Sequence, residues 1–571
     1  MKRVVAGVIL IVMVVFGANW VRAPKISAVP IKGEYTPGLK PLPPPPTPQG
    51  TDVPVIIASI PDLRAVAGSP GKNIVFAEDG ENLAVIYGLF SGDPDNIMRT
   101  YVSYSTDCGQ SWLQYGPLST FDARRIYPGV DAEANWPDPN DLKVHFAWHQ
   151  APQVSGAYVA SPTFYAKEIS YPDGLITAAF ELPNSEDWDV WLPCLAVKDS
   201  IIVYIAANNG TYLTTYDCYI WRSTDYGETW DDGRVFFSGP RDWMAGPHFR
   251  FGSDGYIFFL WNRSEESNPS LYWPYYCESF DYGQTWTEPQ LLWGANPPYP
   301  DMSNVTGWWY MYDCEVVADT PVVAIKFGTG NYDYGEIWVY RPTAGSPGSW
   351  VFTGTKLVGG DSTAPQTYAR FPTVAADDYG NIFIGYQAIF EQPTDTGPDC
   401  GLFIRYAGTN TWYDYGPITF NASAISENHL EFAHNAPVIA GGDSTIVGMI
   451  YHNAETYPTS GNLYFDYVIV PIIGIQERGQ KKSIPTGVVV SPNPSRSWVK
   501  FTVGNSEPVK VSIYDVTGKL VRELRNTSAL GGEVIWDGRD TKGSGVNSGV
   551  YFYKVLTNSG ARSGKLTLVK E

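Results

Sequence analysis

One turn-forming pattern, Ser-x-Asp-x-Gly-x-Thr/Ser-Trp, is written three times along the chain. It occurs in STDCGQSW from Ser105, in STDYGETW from Ser223 and in SFDYGQTW from Ser279. The Asp of such a turn accepts hydrogen bonds from backbone N–H groups, and the Gly adopts a conformation that other residues resist. A chain that repeats one turn in this way is built from repeated structural units.

A longer repeat surrounds the short one. Each copy has a short apolar strand, an Asp/Gly turn and a stronger apolar strand, as in RFPTVAADDYGNIFIGYQ from Arg370. Four-stranded sheets that recur every 54 to 67 residues predict a β-propeller. The first strands of the repeats are anchored at about Ile74, Val130, Leu195, Phe249, Val316, Val374 and Ile439.

The predicted fold is therefore all-β, with a propeller over residues 53–474. Abundant aromatic residues (15%) and few charged ones (17%) also favour strands over helices. Seven blades are expected, or six, because the repeats at Ile74 and Val316 are the weakest. The last repeat lacks a strand, and the early segment VPVIIAS from Val53 is predicted to supply it and close the ring.

The three turns resemble the Asp-box, or BNR, repeats of sialidases and related propellers. The resemblance implies that the turns are structural and lie away from the ligand face. The structural residues are then Asp107, Gly109, Trp112, Asp225, Gly227, Trp230, Asp281, Gly283 and Trp286.

The N-terminus is predicted to be a secretory signal over residues 1–23. Lys2 and Arg3 precede an apolar run that is short for a membrane span, although an uncleaved anchor is the alternative. Residues 24–52 form a proline-rich linker. The six cysteines contain no CxxC spacing, so disulfides and buried thiols are both possible and a metal site is not expected.

The tail has a different charge from the rest of the chain. From Gln476 onward there are 15 lysines and arginines against 8 aspartates and glutamates, a local charge of +7, whereas the remainder carries −27. Residues 475–484 are predicted to be a linker. Residues 485–571 alternate polar and apolar residues in about seven short strands, which predicts a small Ig-like β-sandwich.

This tail resembles the C-terminal sorting domains of type IX secretion, and equally the Ig-like domain of flagellar hook-capping proteins. The resemblance is carried by SPNPS at Ser491, IYDVTGKLV at Ile513, WDGRD at Trp536, SGVYFYK at Ser548 and GKLTLVKE at Gly564. It implies recognition by an outer-membrane export machine and a place outside the cell or on its surface. Asp537 and Asp540 fit a solvated turn better than a Ca²⁺ site.

Catalytic candidates are few. Sialidases need three Arg residues, a Tyr–Glu pair and an Asp, and the Arg-Phe-Pro at Arg370 is similar to their Arg-Ile-Pro motif but lies in the sixth repeat. The resemblance therefore covers the scaffold and not the catalytic set. The weak candidates are Arg125, Arg250, Arg370, Asp187, Asp242 and Glu431. Paired acids hydrolyse a glycoside only at a suitable separation.

Three predicted entry loops are rich in acids and aromatics: residues 184–191, 239–247 and 426–435. Such side chains suit stacking on sugar rings and hydrogen bonding to hydroxyls, although ordinary packing between blades is the alternative for each one. The candidate ligand-binding residues are Trp188, Asp189, Trp191, Trp243, Glu427 and His429. His145 and His149 are more typical of a structural pair than of metal ligands.

The sequence leaves three functions open. The first is a secreted or surface propeller that binds glycan or protein ligands, the second a glycoside hydrolase of exo-sialidase type, and the third a structural cell-envelope protein. The net charge of −20 argues against a nucleic-acid partner, because phosphates would be repelled. A monomer without cofactors is expected.

Overall fold

The structure is a computed structural model, and it describes much of the chain between Gln49 and Val569. The predicted signal and almost all of the predicted proline-rich linker lie outside the described residues. The described residues are 49–50, 54–60, 72–77, 80–90, 98–118, 128–132, 144–149, 153–154, 157–158, 162–188, 190–198, 200–208, 216–239, 245–264, 271–299, 306–328, 334–359, 367–390, 398–419, 428–438, 444–452, 461–472, 488–491, 495–503, 509–515, 519–526, 532–557 and 560–569.

The chain divides into two compact units between Gly474 and Ile475. The first unit is all-β apart from the one-turn helix α1 (Ser185–Trp188) within the described residues. No described helix has the length and hydropathy that crossing a membrane would require.

The first unit is a succession of small antiparallel sheets, which we number I to VII in chain order. Sheets I to III contain, respectively, β3 (Ile74–Phe76), β4 (Leu83–Phe90), β5 (Met98–Ser105) and β6 (Leu113–Tyr115); β7 (Gly129–Ala132), β8 (Val144–His149), β11 (Thr163–Ser170), β12 (Leu175–Ile176) and β13 (Phe180–Glu181); and β14 (Val190–Lys198), β15 (Ile201–Asn208), β16 (Tyr216–Ser223) and β17 (Arg234–Gly239). A separate two-stranded hairpin is formed by β9 (Gln153–Val154) and β10 (Ala157–Tyr158).

The remaining sheets of this unit follow the same plan. Sheets IV to VI contain, respectively, β18 (Ala245–Phe251), β19 (Ile257–Ser264), β20 (Tyr272–Ser279) and β21 (Gln290–Leu291); β22 (Thr306–Val317), β23 (Thr320–Gly328), β24 (Tyr334–Ala344) and β25 (Val351–Val358); and β26 (Thr367–Ala376), β27 (Ile382–Ile389), β28 (Pro398–Arg405) and β29 (Tyr413–Pro417). A short pairing of β24 with β26, Tyr334 opposite Tyr368 and Gly335 opposite Thr367, joins sheets V and VI into one eight-stranded sheet. Sheet VII contains β30 (Asn428–Phe432), β31 (Ser444–His452), β32 (Gly461–Pro471), β2 (Val55–Ile60) and the two-residue β1 (Gln49–Gly50).

The first strand of each sheet, here called the inner strand, contacts the inner strand of the next sheet along the chain. Sheet VII returns to sheet I, because the Phe76 backbone N–H donates to Asn435 Oδ1 at 3.3 Å and the Asn435 side chain donates to the Phe76 carbonyl. The early strand β2 pairs antiparallel with β32, from Val55 opposite Phe465 to Ile60 opposite Gly461. This pairing is the one predicted from VPVIIAS.

Two sequence-based boundaries need correction. The anchor at Ile439 is wrong, because the inner strand of sheet VII is β30 (Asn428–Phe432) and Ile439 lies outside the described residues. Part of each predicted entry loop is also regular structure: α1 and the start of β14 in the first, the start of β18 in the second and β30 in the third. These segments carry isolated polar residues among apolar ones, which made them look like loops.

The three repeated turns join the third and fourth strands of sheets I, III and IV with the same hydrogen bonds. In the first, Ser111 N and Ser111 Oγ donate to Asp107 at 2.8 and 2.6 Å, and Gly109 N donates to Ser105 Oγ at 2.8 Å. The glycines adopt positive φ angles of 75° to 80°. Each turn's Asp is therefore satisfied by its own turn.

The Trp of each turn packs against the preceding sheet. Trp230 of sheet III lies edge-on to Tyr165 of sheet II, with ring centroids 4.9 Å apart. Trp112 of sheet I lies 5.4 Å from Phe465 of sheet VII, and Trp286 of sheet IV lies 4.7 Å from Phe236 of sheet III. The turns thus hold neighbouring sheets together.

We expect Gly227→Ala to destabilise the first unit more than Gly408→Ala. Both glycines have φ near +75°, so both changes carry the same backbone cost of about 1 kcal/mol. A Cβ at Gly227 would lie 2.0 Å from Tyr165 Oη, whereas a Cβ at Gly408 meets nothing within 4 Å. The clash should add about 1–3 kcal/mol in chemical denaturation. Equal losses would contradict this packing.

The second unit consists of two antiparallel sheets. One contains β33 (Val488–Ser491), β34 (Val499–Val503) and β37 (Gly532–Trp536); the other contains β36 (Leu520–Asn526), β35 (Val509–Tyr514), β38 (Gly549–Thr557) and β39 (Gly560–Leu568), in that spatial order. Phe501 and Trp536 of the first sheet and Ile513 and Val555 of the second share one buried core. The tail is thus a β-sandwich, and its Ig-like assignment stays a prediction.

Candidate functional site

Charged side chains and one threonine, on or next to the inner strands, converge in the first unit. They come from sheets I, II, IV, V, VI and VII, and we call them the central cluster. Its members are Lys72, Asp131, His248, Arg250, Asp313, Glu315, Thr373, Glu431 and His434. Inner strands that alternate inward-facing side chains bring residues from distant repeats to one place.

The buried pair of Lys72 and Asp313 joins sheets I, V and VI. The Lys72 ammonium donates to Asp313 Oδ2 and also to Thr373 Oγ1 at 2.9 Å and to the Val374 carbonyl at 3.2 Å. The two charged side chains are 2% and 4% exposed. All three ammonium protons are accepted, so Lys72 has a structural role.

Asp313 is surrounded by donors. Its Oδ2 accepts the Val374 backbone N–H at 2.8 Å, and its Oδ1 lies 3.2 Å from His248 Nδ1. Burial alone would raise the pKa of Asp313, but the charge of Lys72 and the neighbouring His248 imidazole hold it far below its usual range. Asp313 therefore stays ionised, and it is not a proton donor.

His434 bridges carboxylates of two other sheets. Its Nε2 lies 3.1 Å from Asp131 Oδ1 and its Nδ1 lies 3.7 Å from Glu315 Oε2. Burial would raise the pKa of Asp131, but the hydrogen bond and charge of His434 and the charge of Arg250 lower it.

Arg250 lies on the other side of Glu315. Its Nε is 3.4 Å from Glu315 Oε2, and its Nη1 donates to the Phe249 carbonyl at 2.9 Å. Burial raises the pKa of Glu315 despite the charges of His434 and Arg250. Glu431 is the remaining acid of the cluster.

Glu431 connects sheet VII to the backbone of sheet I. Its Oε1 accepts the Asn73 N–H, and its side chain is partly exposed. Burial raises the pKa of Glu431 to about 7, although the charge of Lys72 and the Asn73 N–H lower it in part. A carboxyl group that holds a proton near neutral pH can act as a general acid.

We expect Glu431 to make the unfolding free energy fall as the pH rises from 4.5 to 7. An acid whose pKa is raised in the folded state stabilises the fold while it is protonated, and this contribution disappears as the pH passes the folded value. The rise of the pKa from 4.5 to about 7 corresponds to about 3 kcal/mol, most of which is lost between pH 4.5 and 7. Chemical denaturation of Glu431→Gln at several pH values should show the unfolding free energy falling less between pH 4.5 and 7, by about that amount. An equal fall in the variant and the wild type would contradict the burial of the carboxyl.

A second, largely buried group joins the inner strands β26 and β30 to the strands that follow them, β27 and β31. Phe371 and His429 have ring centroids 4.1 Å apart, and His429 stacks on His452 at 4.7 Å. The Arg370 guanidinium lies 5.2 Å from the Phe371 ring, and its Nε donates to Gln387 Oε1 at 2.7 Å. We call these five residues the mouth cluster. Thr373 and Glu431 of the central cluster lie two residues beyond Phe371 and His429 along β26 and β30, which is about 7 Å in a regular strand.

Residues with positive φ angles recur on the inner strands, and two of them belong to the mouth cluster. Leu192, Phe371 and His429 have positive φ angles of 50° to 55°, each at an irregularity in the pairing of an inner strand. Sheets IV and V have irregular pairing in the corresponding part of β18 and β22. Bulges and left-handed bulky residues concentrate at the rims of barrels and beside binding sites.

Both imidazoles of the mouth cluster are neutral. Burial, and then the neighbouring His452 ring and the Arg370 charge, lower the pKa of His429 well below its usual range. Burial and the Arg370 charge lower the pKa of His452 to about 3. Neutral imidazoles offer one donor and one acceptor each, and Arg370 adds donors. Such a set suits a polar, uncharged ligand with hydroxyl groups.

The structure brings some predicted residues together and separates others. Arg370 and His429 meet in the mouth cluster, and Arg250 and Glu431 belong to the central cluster. Trp188 is used in packing, because it stacks on Tyr219 at 4.3 Å. The backbones of Asp187 and Trp191 lie in α1 and β14. Arg125, Asp189, Asp242, Trp243 and Glu427 lie outside the described residues.

The other singled-out residues have ordinary surroundings. His145 Nδ1 lies 2.6 Å from Tyr165 Oη inside the protein, and Asp540 accepts backbone N–H groups of its own turn. The part of the chain that the structure describes contains no group of three potential metal ligands. Five of the cysteines lie buried in strands, and burial raises the pKa of Cys194 to about 12.

Residues 489–570 match the family model described as the secretion system C-terminal sorting domain. The tail carries a sorting domain. The protein is therefore exported, to the medium or to the cell surface. The sequence has no significant match among curated proteins.

The solved structures to which this chain is similar have low identity to it. They include an ulvan lyase of polysaccharide lyase family PL25 (12% identity, TM-score 0.44, 73% of this chain and 95% of that chain) and PorZ, a surface component of the type-IX secretion system of Porphyromonas gingivalis (16%, 0.36, 89% and 61%). A third is an α-L-arabinanase of Penicillium chrysogenum complexed with arabinobiose (15%, 0.36, 60% and 92%). These scores are too low to transfer a function.

Proposed function

We propose that the protein is an exported, seven-bladed β-propeller that binds a neutral glycan at the mouth cluster. In this proposal sheets I to VII are the blades, the turns at Asp107, Asp225 and Asp281 are Asp-boxes, and the Ig-like tail directs export by a type IX system. The turns then keep the blades together, while the entry ends of the inner strands hold the ligand.

One observation carries the proposal: the strained inner strands place Arg370, Phe371 and His429 together. Phe371 and His429 both have positive φ angles, which an ordinary strand would not require. Their rings are in contact with an angle of 44° between the ring planes. Backbone strain of this kind persists where the surrounding structure holds a site in shape. Aromatic rings beside a guanidinium and neutral imidazoles suit the apolar faces and hydroxyls of a sugar.

The test is binding of the full chain to a glycan array. We expect at least one neutral oligosaccharide to bind, and Arg370→Ala to weaken it about tenfold or more, since a charged hydrogen bond contributes about 1.5–3 kcal/mol. Arg525→Ala, an exposed arginine of the tail, is the control. Unchanged binding by Arg370→Ala would refute the site, and an array without any bound glycan would favour a structural envelope role.

A glycoside hydrolase is the second candidate, and Glu431 is the observation that favours it. Its carboxyl has a pKa of about 7, raised by burial, while the pKa of nearby Asp313 is held far below its usual range against burial by Lys72. Two acids with pKa values pushed apart are the arrangement that acid catalysis uses. Asp313 is enclosed by donors, however, so the geometry supports binding better than hydrolysis.

A further inference from the structure

The sheet of the tail that contains β35, β36, β38 and β39 has apolar side chains on its outer surface. Phe552, Leu520 and Val550 are 47%, 44% and 39% exposed. Tyr514 pairs with Leu520 on one side and with Phe552 on the other, so these side chains form one row across three strands. The opposite side of the sheet is the core face, where Val511, Ile513 and Val555 are buried.

The same outer surface is basic. Lys554 lies two residues from Phe552 on β38 and is exposed, and Lys510 and Arg525 flank the row on β35 and β36. Glu523 is the acid among them, and it is paired with Lys510 and Arg525, both at 2.8 Å. The net charge of +7 from Gln476 onward has the same sign. An apolar row bordered by cations is expected to bind a surface with apolar and acidic groups.

We propose that this outer surface of the sorting domain is the docking site for an acidic protein component of the export apparatus. We name the surface the tail face, defined by Lys510, Tyr514, Leu520, Val550, Phe552 and Lys554. The match of residues 489–570 to a sorting domain requires some part of the tail to be recognised during export. The tail face combines the exposed apolar groups and the positive charge that such recognition uses.

The test compares export of full-length variants in a host with the secretion system. Leu520→Ser combined with Phe552→Ser should leave the protein inside the cell envelope, with at least about tenfold less in the medium or on the surface. Ile535→Ser is the matched control, because Ile535 is 56% exposed but lies on β37 of the other sheet. It should be exported like the wild type.

A charge reversal tests the lysines of the tail face separately from its apolar residues. Lys554→Glu should reduce export, whereas Lys542→Glu, an exposed lysine in the loop before β38, should not. Thermal unfolding of the purified proteins must give similar midpoints, since exposed substitutions usually cost little stability. Normal export of both tail-face variants, or equal loss with the controls, would overturn the proposal.

Two further measurements would reveal a binding partner of the tail face other than an acidic protein. Binding of the full chain to vesicles of phosphatidylglycerol and phosphatidylcholine, lost in the Leu520/Phe552 variant, would assign the tail face to a lipid surface and overturn the protein partner. Dimerisation in ultracentrifugation, lost in the same variant, would assign it to a second copy. We expect neither. Failure of the glycan-binding proposal would leave this test unaffected, because the tail face contains no mouth-cluster residue.

Discussion

Replacing Lys72 with methionine should destabilise the first unit by about 3–5 kcal/mol. Methionine keeps most of the apolar stem but removes the ammonium group, so Asp313 would remain buried with its charge uncompensated by Lys72. The same change removes the hydrogen bonds to Thr373 and Val374, which belong to another sheet. Chemical denaturation of the full chain, followed by tryptophan fluorescence, measures the loss.

A double-mutant cycle shows whether the loss comes from the ion pair. Asp313→Asn in the Lys72→Met background removes the buried charge, so the double variant should be more stable than the sum of the single losses predicts. The coupling should exceed about 2 kcal/mol. Additive losses would mean that Lys72 and Asp313 do not form the pair described above.

Aspartate at Ile57 should destabilise the first unit by about 3–5 kcal/mol, whereas aspartate at Ile56 should cost less than about 0.5 kcal/mol. The two residues are neighbours on β2 and differ in burial: Ile57 is 8% exposed and Ile56 is 52% exposed. Ile57 belongs to the core shared with Phe76, Ala433 and Phe465. A carboxylate forced into this core has no cation to pair with among the members of that apolar cluster.

This comparison tests ring closure as well as burial. If β2 did not close sheet VII, Ile57 would lie on a loosely attached segment and its substitution would change little. Unfolding free energies that are equal for Ile56→Asp and Ile57→Asp would contradict closure by β2. A large loss for Ile57→Asp alone would support it.

Local patterns in the sequence predicted much of the architecture. The turns at Asp107, Asp225 and Asp281 were predictable because every partner of each Asp lies within four residues of it. The inner strands around Val130, Phe249 and Val374 were predictable from runs of apolar residues. The last inner strand was missed because His429 and Glu431 interrupt the apolar residues of β30.

The central cluster was beyond prediction from one sequence. Lys72 and Asp313 are 241 residues apart in the chain, and no local pattern links them. His434 contacts carboxylates from two different repeats, and its role depends on the ring returning to sheet VII. The residue types of Arg370 and His429 were enough to make them candidate site residues. Their contact with Phe371 depends on inner-strand irregularities that leave no signature in the residue pattern.

The most direct test of the account measures binding and turnover on one sample. The full chain is titrated calorimetrically with the best glycan from the array, and the saccharide is then recovered and analysed by mass spectrometry. The account predicts saturable heat for the wild type, little heat for Arg370→Ala and a saccharide of unchanged mass. A shortened saccharide from the wild type but not from Glu431→Gln would contradict it and establish a glycoside hydrolase.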